Sequence, residues 1–461
     1  MKVRQQKIRV RKNAKMISQH LIYKSLFCSF FLPLNPGYSG GEIRDFHILE
    51  SILGISDIDF IGLQDNPYND REPIIERYLN SYIVAGDISV SLESVNASHD
   101  INCDNGDFLT DKILDYFLPP SVINCFKRRY HRDVENIYSV FSNHISPYAE
   151  YLLGKSDYDF LFVSPQVNPI AINLGNSINT RFILATYDVE TVRIKRLLMK
   201  DFEWKHPTKF ISAYIEHKRA RRFEQENLSK FDAIIAVSEL DKSIFVDEYN
   251  FDPERILVVN NSVDINYFKS CERRQTTFPD IIFVGSLSYP PNNEAALRLI
   301  ERIMPLVRKQ LPESRLFIVG QSPSQTLLDY SDDLRTVVTG KVSDIRPYLS
   351  RSTVMCVPLM SGSGTKYKIL EALSAGVPVV CSSLAIEGLN LEPGVDVLVG
   401  DSDEEIAKLV LDLIFDPQLA ETLSDNGRRL VENEYSWDVS LAGMGSWLDR
   451  IRVLPKNISR L

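Results

Sequence analysis

Residues 361–380 hold the densest chemistry in the chain. Ser361, Gly362, Ser363, Gly364 and Thr365 form a run of small residues leading into a helix expected over Tyr367–Ala375. Gly376 caps that helix, and a strand is expected over Val377–Cys381. Free backbone N–H groups and the helix dipole at such an N-terminus attract an anion. Lys366 and Lys368 add positive charge, and Glu371 follows Lys368 by three residues, one turn away on a neighbouring face. Amide donors, two cations and one carboxylate suit a nucleoside diphosphate: amides and lysines for the phosphates, the carboxylate for ribose hydroxyls. An ATPase loop needs glycine, lysine and then serine or threonine; Gly364, Thr365 and Lys366 invert that order. No glycine-rich dinucleotide fingerprint follows a strand, which disfavours a dehydrogenase. The plainer alternative is a flexible loop before an ordinary amphipathic helix.

Asp188 and Glu190 form a second acidic candidate, against the alternative of a solvated helix start where acids suit the dipole. The seven histidines all lie at or before His217, so the C-terminal half has no histidine base. His47 and His144 read as structural. The six cysteines form no CxxC pair and have no histidine at metal-ligand spacing, so no metal site is expected. Scattered single cysteines fit a reducing compartment.

These residues need a scaffold. Short apolar runs over 25–34, 159–163, 182–185, 233–237 and 256–259 read as strands buried on both faces. The first is followed by Pro36, Gly37, Gly40 and Gly41, and then by a helix over Glu42–Leu53. The order of elements over 65–150 is not legible. In the second half, strands over 281–284, 316–319, 337–339 and 354–357 alternate with helices, including one over Asn293–Gln310. Alternation with short loops predicts doubly wound parallel sheets, one in each half, with a polar linker near Ser270–Asp280. Ligands bind beyond the carboxyl ends of such strands, so two facing sheets would share a cleft. Trp437–Val453 reads as one amphipathic helix.

The 461 residues carry a net charge of −9, but seven bases and no acid fall within residues 1–16. The remainder has 45 bases against 61 acids, or −16, which argues against a nucleic-acid binder. Residues 193–222 hold ten bases against three acids, with Leu197, Leu198, Met199, Phe202 and Trp204 interleaved. Together with residues 1–16 they are a candidate contact with anionic lipid, against the plainer view of a solvated helical face. No segment approaches the roughly 18 uninterrupted apolar residues of a spanning helix. Leu26–Leu34 reads as a buried strand rather than a leader.

The loop and helix over 361–380 resemble the donor site of the family 4, or group 1, retaining glycosyltransferases. Further segments resemble the same family over about residues 25–450: Phe283, Gly285 and Ser286 with Pro291 and Asn293; Thr339–Val342 with Asp344; Phe231–Ser238; Asn261–Asp264; Tyr187–Glu190; and Gly40, Gly41 and Arg44. The resemblance implies an α/β protein with the GT-B fold, two Rossmann-like doubly wound parallel-sheet domains facing across a cleft. It implies a basic tail (1–24), an N-terminal acceptor domain (25–270), a donor domain (281–435) and a last helix (436–461) crossing back. The implied activity moves a sugar from a nucleotide diphosphate sugar to a glycan or lipid-linked acceptor with retention, without metal or cofactor. It also implies a cytoplasmic, peripherally membrane-bound protein.

The implied donor site comprises Gly285, Ser286, Lys341, Val342, Gly362, Ser363, Gly364, Thr365 and Glu371, with Lys366 and Lys368 stabilising the leaving group. Asp188 and Glu190 fall on the acceptor side, and Gly40, Gly41, Arg44 and Tyr187 face phosphate or acceptor. The chain departs from the family at Ser363, where relatives often carry a glutamate eight residues before Glu371. Tyr187 stands where many have histidine, and the basic residues that commonly follow Gly285 are missing. A nucleotide-sugar 2-epimerase of the same fold and an inactive nucleotide-sugar-binding protein are the alternatives.

Overall fold

A computed structural model of the chain describes residues 23–29, 40–53, 55–63, 81–85, 146–165, 179–189, 191–192, 195, 217–218, 221–222, 224–269, 273–274, 276–332, 334–362 and 365–457. The first half runs β1 (Tyr23–Ser29), α1 (Gly40–Leu53), β2 (Ser56–Leu63), β3 (Ser81–Ala85), α2 (Ser146–Lys155), β4 (Phe160–Val163), β5 (Arg181–Ala185), β6 (Ala233–Ala236), α3 (Glu239–Tyr249) and β7 (Ile256–Val258). Its parallel sheet has the order β3-β2-β1-β4-β5-β6-β7.

The second half runs α4 (Ile265–Lys269), β8 (Asp280–Val284), α5 (Pro290–Arg298), α6 (Met304–Arg308), β9 (Arg315–Val319), α7 (Gln325–Asp329), β10 (Thr336–Val338), α8 (Arg346–Arg351), β11 (Val354–Val357), α9 (Tyr367–Ser374), β12 (Val379–Cys381), β13 (Leu398–Val399), α10 (Asp403–Phe415) and α11 (Pro417–Glu434). Helices α12 (Trp437–Leu441) and α13 (Met444–Val453) follow. The second parallel sheet has the order β10-β9-β8-β11-β12-β13. In each sheet the order reverses beside the first strand, β1 or β8, which opens a crevice at the strand ends.

Burial on both faces explains the apolar strands. Leu26, Leu161, Phe182 and Ile234 pack with Phe245 and Tyr249 on one face of the first sheet. On the other face Phe27 stacks with Phe60 and Phe162, ring centroids 6.0 and 5.7 Å apart, beneath Phe46, Leu49 and Ile52 of α1. Trp437, Trp447, Leu448 and Ile451 complete that second cluster, so α12 and α13 lie against the N-terminal sheet. The C-terminal sheet has its own core, including Ile282, Phe283, Val357, Leu370 and Leu373.

Several elements differ from the sequence reading. Neither β2 nor β3 is flagged by an apolar run. β12 begins at Val379 because Pro378 has no N–H to donate; its carbonyl accepts from Met355 N at 3.0 Å. The expected helix over Asn293–Gln310 starts earlier, at Pro290, and passes through a π-turn at Leu299–Ile303 before α6. Pro305 accounts for the turn, since its ring would clash with the carbonyl four residues back. The expected helix over Trp437–Val453 is divided into α12 and α13 beside Gly443, a residue that costs about 1 kcal/mol in a helix interior. Residues 1–22, and most of 193–222, lie outside the described residues.

Candidate functional site

β8 delivers the first part of the site. Its last residue, Val284, is followed by Gly285, whose carbonyl lies where β9 gives way to Gly320. A Cβ on Gly320 would stand 1.8 Å from Gly285 O, so only glycine lets the two backbones cross this closely. A Cβ on Gly285 would stand 2.8 Å from both Asn292 Nδ2 and Lys368 Nζ. Lys368, in the first turn of α9, therefore reaches back to the carboxyl end of β8, the place left without a basic side chain by the local sequence. Its Nζ donates to Asn292 Oδ1 at 2.5 Å and lies 4.5 Å from the Phe283 ring centroid.

Burial pulls the Lys368 ammonium down to about 7, with Lys366 acting in the same direction and Glu371 opposing. Burial pushes the Glu371 carboxyl up to about 7, with Lys368 opposing. A lysine and a carboxylate both shifted by burial toward their neutral forms one helical turn apart mark a candidate functional site. The α9 N-terminus adds backbone donors, because Lys366 provides no side-chain cap. Gly362 approaches it at φ 114°, beside Tyr289 and Pro291. Ser363 and Gly364 lie outside the described residues. Lys341 and Val342 lie on the loop after β10, with Lys341 exposed and Val342 packed against the C-terminal core.

The loop before α9 is tied to the other domain. Asn261, just after β7, donates from Nδ2 to Thr365 Oγ1 at 2.6 Å, and its Oδ1 accepts from Tyr367 OH at 3.0 Å. Asp188, Ser238, Asp241, Thr365, Glu387 and Gly388 line an open pocket between the two domains. The structure thus brings Asp188 to Thr365, while Glu190 lies outside the described residues. The turn carrying Asp188 is fixed from behind by Glu224, whose Oε2 accepts from Thr191 N at 3.1 Å and Tyr249 OH at 2.6 Å.

Arg44 is a correction. Expected to face phosphate or acceptor, it is buried, and its guanidinium donates to the carbonyls of Thr186, Ala236 and Val259 at 2.6–3.0 Å and to Asn261 Oδ1 at 3.2 Å. It clamps the ends of β5, β6 and β7 together, and at β6 it adds a second donor to the Ala236 carbonyl, which already accepts from Val259 N at 3.0 Å. Tyr187 is also turned inward: its OH donates to Asp45 Oδ2 at 2.7 Å. Ser29 Oγ donates to the same oxygen at 2.5 Å, and burial pushes the Asp45 carboxyl up to about 6. Gly40 and Gly41 open α1 beneath this network. Asp45 escaped sequence reasoning, and Asn292 and Asn261 were given no role there, although Asn292 sits inside the Pro291–Asn293 segment and Asn261 opens the Asn261–Asp264 segment.

Among the described residues, no group of three or more metal-ligating side chains is assembled. None of the described helices is long and apolar enough to cross a membrane.

Residues 278–416, the span from β8 through α10, match the family described as Glycosyl transferases group 1. That segment is similar to a group 1 glycosyltransferase domain. Gly285, Lys368 and Glu371 all lie within this matched segment. The chain is 26% identical over 188 residues to a GDP-mannose-dependent monoacylated alpha-(1-6)-phosphatidylinositol monomannoside mannosyltransferase of Corynebacterium glutamicum, covering 37% of this chain and 48% of the relative. It is also 26% identical over 227 residues to a UDP-Gal:alpha-D-GlcNAc-diphosphoundecaprenol alpha-1,3-galactosyltransferase of Escherichia coli, covering 44% and 56%. The chain spans about half the length of these curated relatives. Among solved structures, sucrose-phosphate synthase of Thermosynechococcus elongatus matches 93% of this chain and 99% of its own at a TM-score of 0.63 and 13% identity. HepE of Anabaena in complex with UDP matches 93% and 100% at 0.57, also at 13% identity. At that identity the likeness is one of fold, and the fold is GT-B.

Proposed function

We propose that the chain is a retaining glycosyltransferase that moves a sugar from a nucleotide diphosphate sugar to a glycan or lipid-linked acceptor. One observation carries this: Lys368 Nζ lies against Gly285 at the β8 end, at the amide-rich start of α9, with Glu371 one turn further along. A diphosphate laid over Gly285 meets the ammonium and the helix N-terminus together, and Glu371 is placed to accept from ribose hydroxyls. The two curated relatives, named for GDP-mannose and UDP-galactose donors and for lipid-linked acceptors, support the donor class and the acceptor class.

In the reaction the bond from the anomeric carbon to the diphosphate oxygen breaks as the acceptor hydroxyl oxygen bonds to that carbon. Charge grows on the leaving diphosphate, so donors already aimed at it lower the barrier without reorganising. Lys366, Lys368 and the α9 amides fill that role, and Asp188 beside Thr365 is placed to accept the hydrogen bond of the acceptor hydroxyl. Glu371→Ala and Lys366→Ala are each expected to reduce transfer about tenfold or more while the fold stays intact. Labelled-donor turnover together with circular dichroism measures both, and wild-type rates in both variants would remove this placement of the donor.

A further inference from the structure

Among the described residues, no carboxylate forms an ion pair with Lys368, although Glu371 favours its charged form from one turn away. Among the contacts described for it, its ammonium rests on one neutral oxygen and one ring face: Asn292 Oδ1 at 2.5 Å and Phe283 at 4.5 Å. Asn292 is itself 8% exposed and fixed, since its Nδ2 donates to Ser286 O at 2.9 Å. Its own N–H reaches back to Tyr289 O at 3.0 Å, so the residue sits on a closed turn at the start of α5. One carboxamide thus joins the backbone just after β8 to the ammonium of α9. The two glycine positions show how little space is left. Any Cβ at Gly285 would collide with both Asn292 and Lys368, and any Cβ at Gly320 would collide with Gly285.

We propose that Asn292 is the positioning residue for Lys368, aiming its ammonium at the diphosphate over Gly285 while remaining outside contact with the substrate. The inference rests on the donor reading of Lys368 given above. A neutral carboxamide has a chemical advantage over a carboxylate in this position. It accepts one hydrogen bond from the ammonium without neutralising it, so the positive charge stays available to the phosphates. An aspartate or glutamate there would pair with the lysine and compete with the ligand for it. The carboxamide also has a fixed polarity: the amide nitrogen is committed to Ser286 O, which leaves only the oxygen to face the lysine.

The test is a double-mutant cycle on nucleotide binding, which separates a residue acting through Lys368 from one acting alone. UDP and GDP are titrated into the wild type, Asn292→Ala, Lys368→Ala and the double variant, with melting curves confirming that each is folded. Asn292→Ala is expected to weaken diphosphate binding about tenfold, as loss of a hydrogen bond to a charged group does. Lys368→Ala is expected to weaken it by more, and the double variant to bind no worse than Lys368→Ala alone. A tenfold loss that adds in full to that of Lys368→Ala overturns the inference and leaves the donor reading standing. Wild-type affinity in Lys368→Ala overturns both, since nothing would remain to be positioned.

Asn292→Asp provides a second variant should the alanine fail to fold. The groups acting on the ammonium are Lys366, Glu371 and the new carboxylate, and the last favours the charged form. The alkaline fall in diphosphate affinity is therefore expected to move to higher pH by about a unit or more relative to the wild type. An unmoved alkaline limb in Asn292→Asp contradicts the proposal.

Discussion

Binding of a nucleotide sugar is expected to move protons, and to reverse their direction between pH 6 and pH 8. The free site holds Lys368 and Glu371 each at about 7. At pH 8 only about a tenth of Lys368 is protonated, and about nine-tenths of Glu371 is ionised. A diphosphate against the ammonium favours its charged form and lifts its pKa. The complex then takes up protons at Lys368, while Glu371 has little left to release. At pH 6 the populations are exchanged. Lys368 is already mostly charged, while Glu371 is mostly protonated and is expected to ionise as hydroxyl donors of the ribose favour its carboxylate form. Net proton release follows.

Calorimetric titrations of GDP-mannose, UDP-galactose or UDP-glucose in pairs of buffers with different ionisation enthalpies give the proton count directly. An esterified diphosphate has no group of its own titrating in this range, so the count belongs to the protein. Lys368→Met is expected to abolish the uptake at pH 8, and Glu371→Gln the release at pH 6. Proton exchange near zero at both pH values, with binding intact, would refute the placement of these two side chains against the ligand.

Two further outcomes follow from the packing. Gly320→Ala forces its new Cβ against Gly285 O, so it is expected to destabilise the chain by about 1–3 kcal/mol and to weaken nucleotide binding through Gly285; a wild-type urea midpoint would contradict the close crossing. Arg44→Ala removes the buried donor to the carbonyls of Thr186 and Val259 and the second donor to that of Ala236, for a loss of about 3 kcal/mol in urea denaturation, while diphosphate affinity in the folded protein stays unchanged; weakened affinity at full stability would return Arg44 to the ligand site.

The rhythm of the fold was legible because strands buried on both faces must be apolar throughout, as β4, β6 and β11 are. β2 was not, because it alternates Asp57 and Asp59 with Ile58 and Phe60. Asp59 is tolerated there through a partner far along the chain, accepting from Tyr158 OH at 2.5 Å. The donor loop was legible for a local reason: its small residues, its lysines and Glu371 are consecutive in sequence. What escaped notice depends on distant partners. Asn292 meets Lys368 across 76 residues, and Arg44 meets Val259 across 215, so neither role is written in its neighbours. Arg44 was assigned to the ligand only through the resemblance of its loop, and its carbonyl partners at three strand ends lie far along the chain.

The most direct measurement is proton NMR of the anomeric signal of each nucleotide sugar incubated with the protein and a membrane lipid extract, in the wild type and in Glu371→Ala. The donor's anomeric signal is expected to give way to that of a product with the same configuration, with one nucleoside diphosphate released per sugar moved, at a rate at least about tenfold lower in the variant. An epimerised nucleotide sugar, a product of inverted configuration, or a donor that binds and stays intact would contradict a retaining transferase.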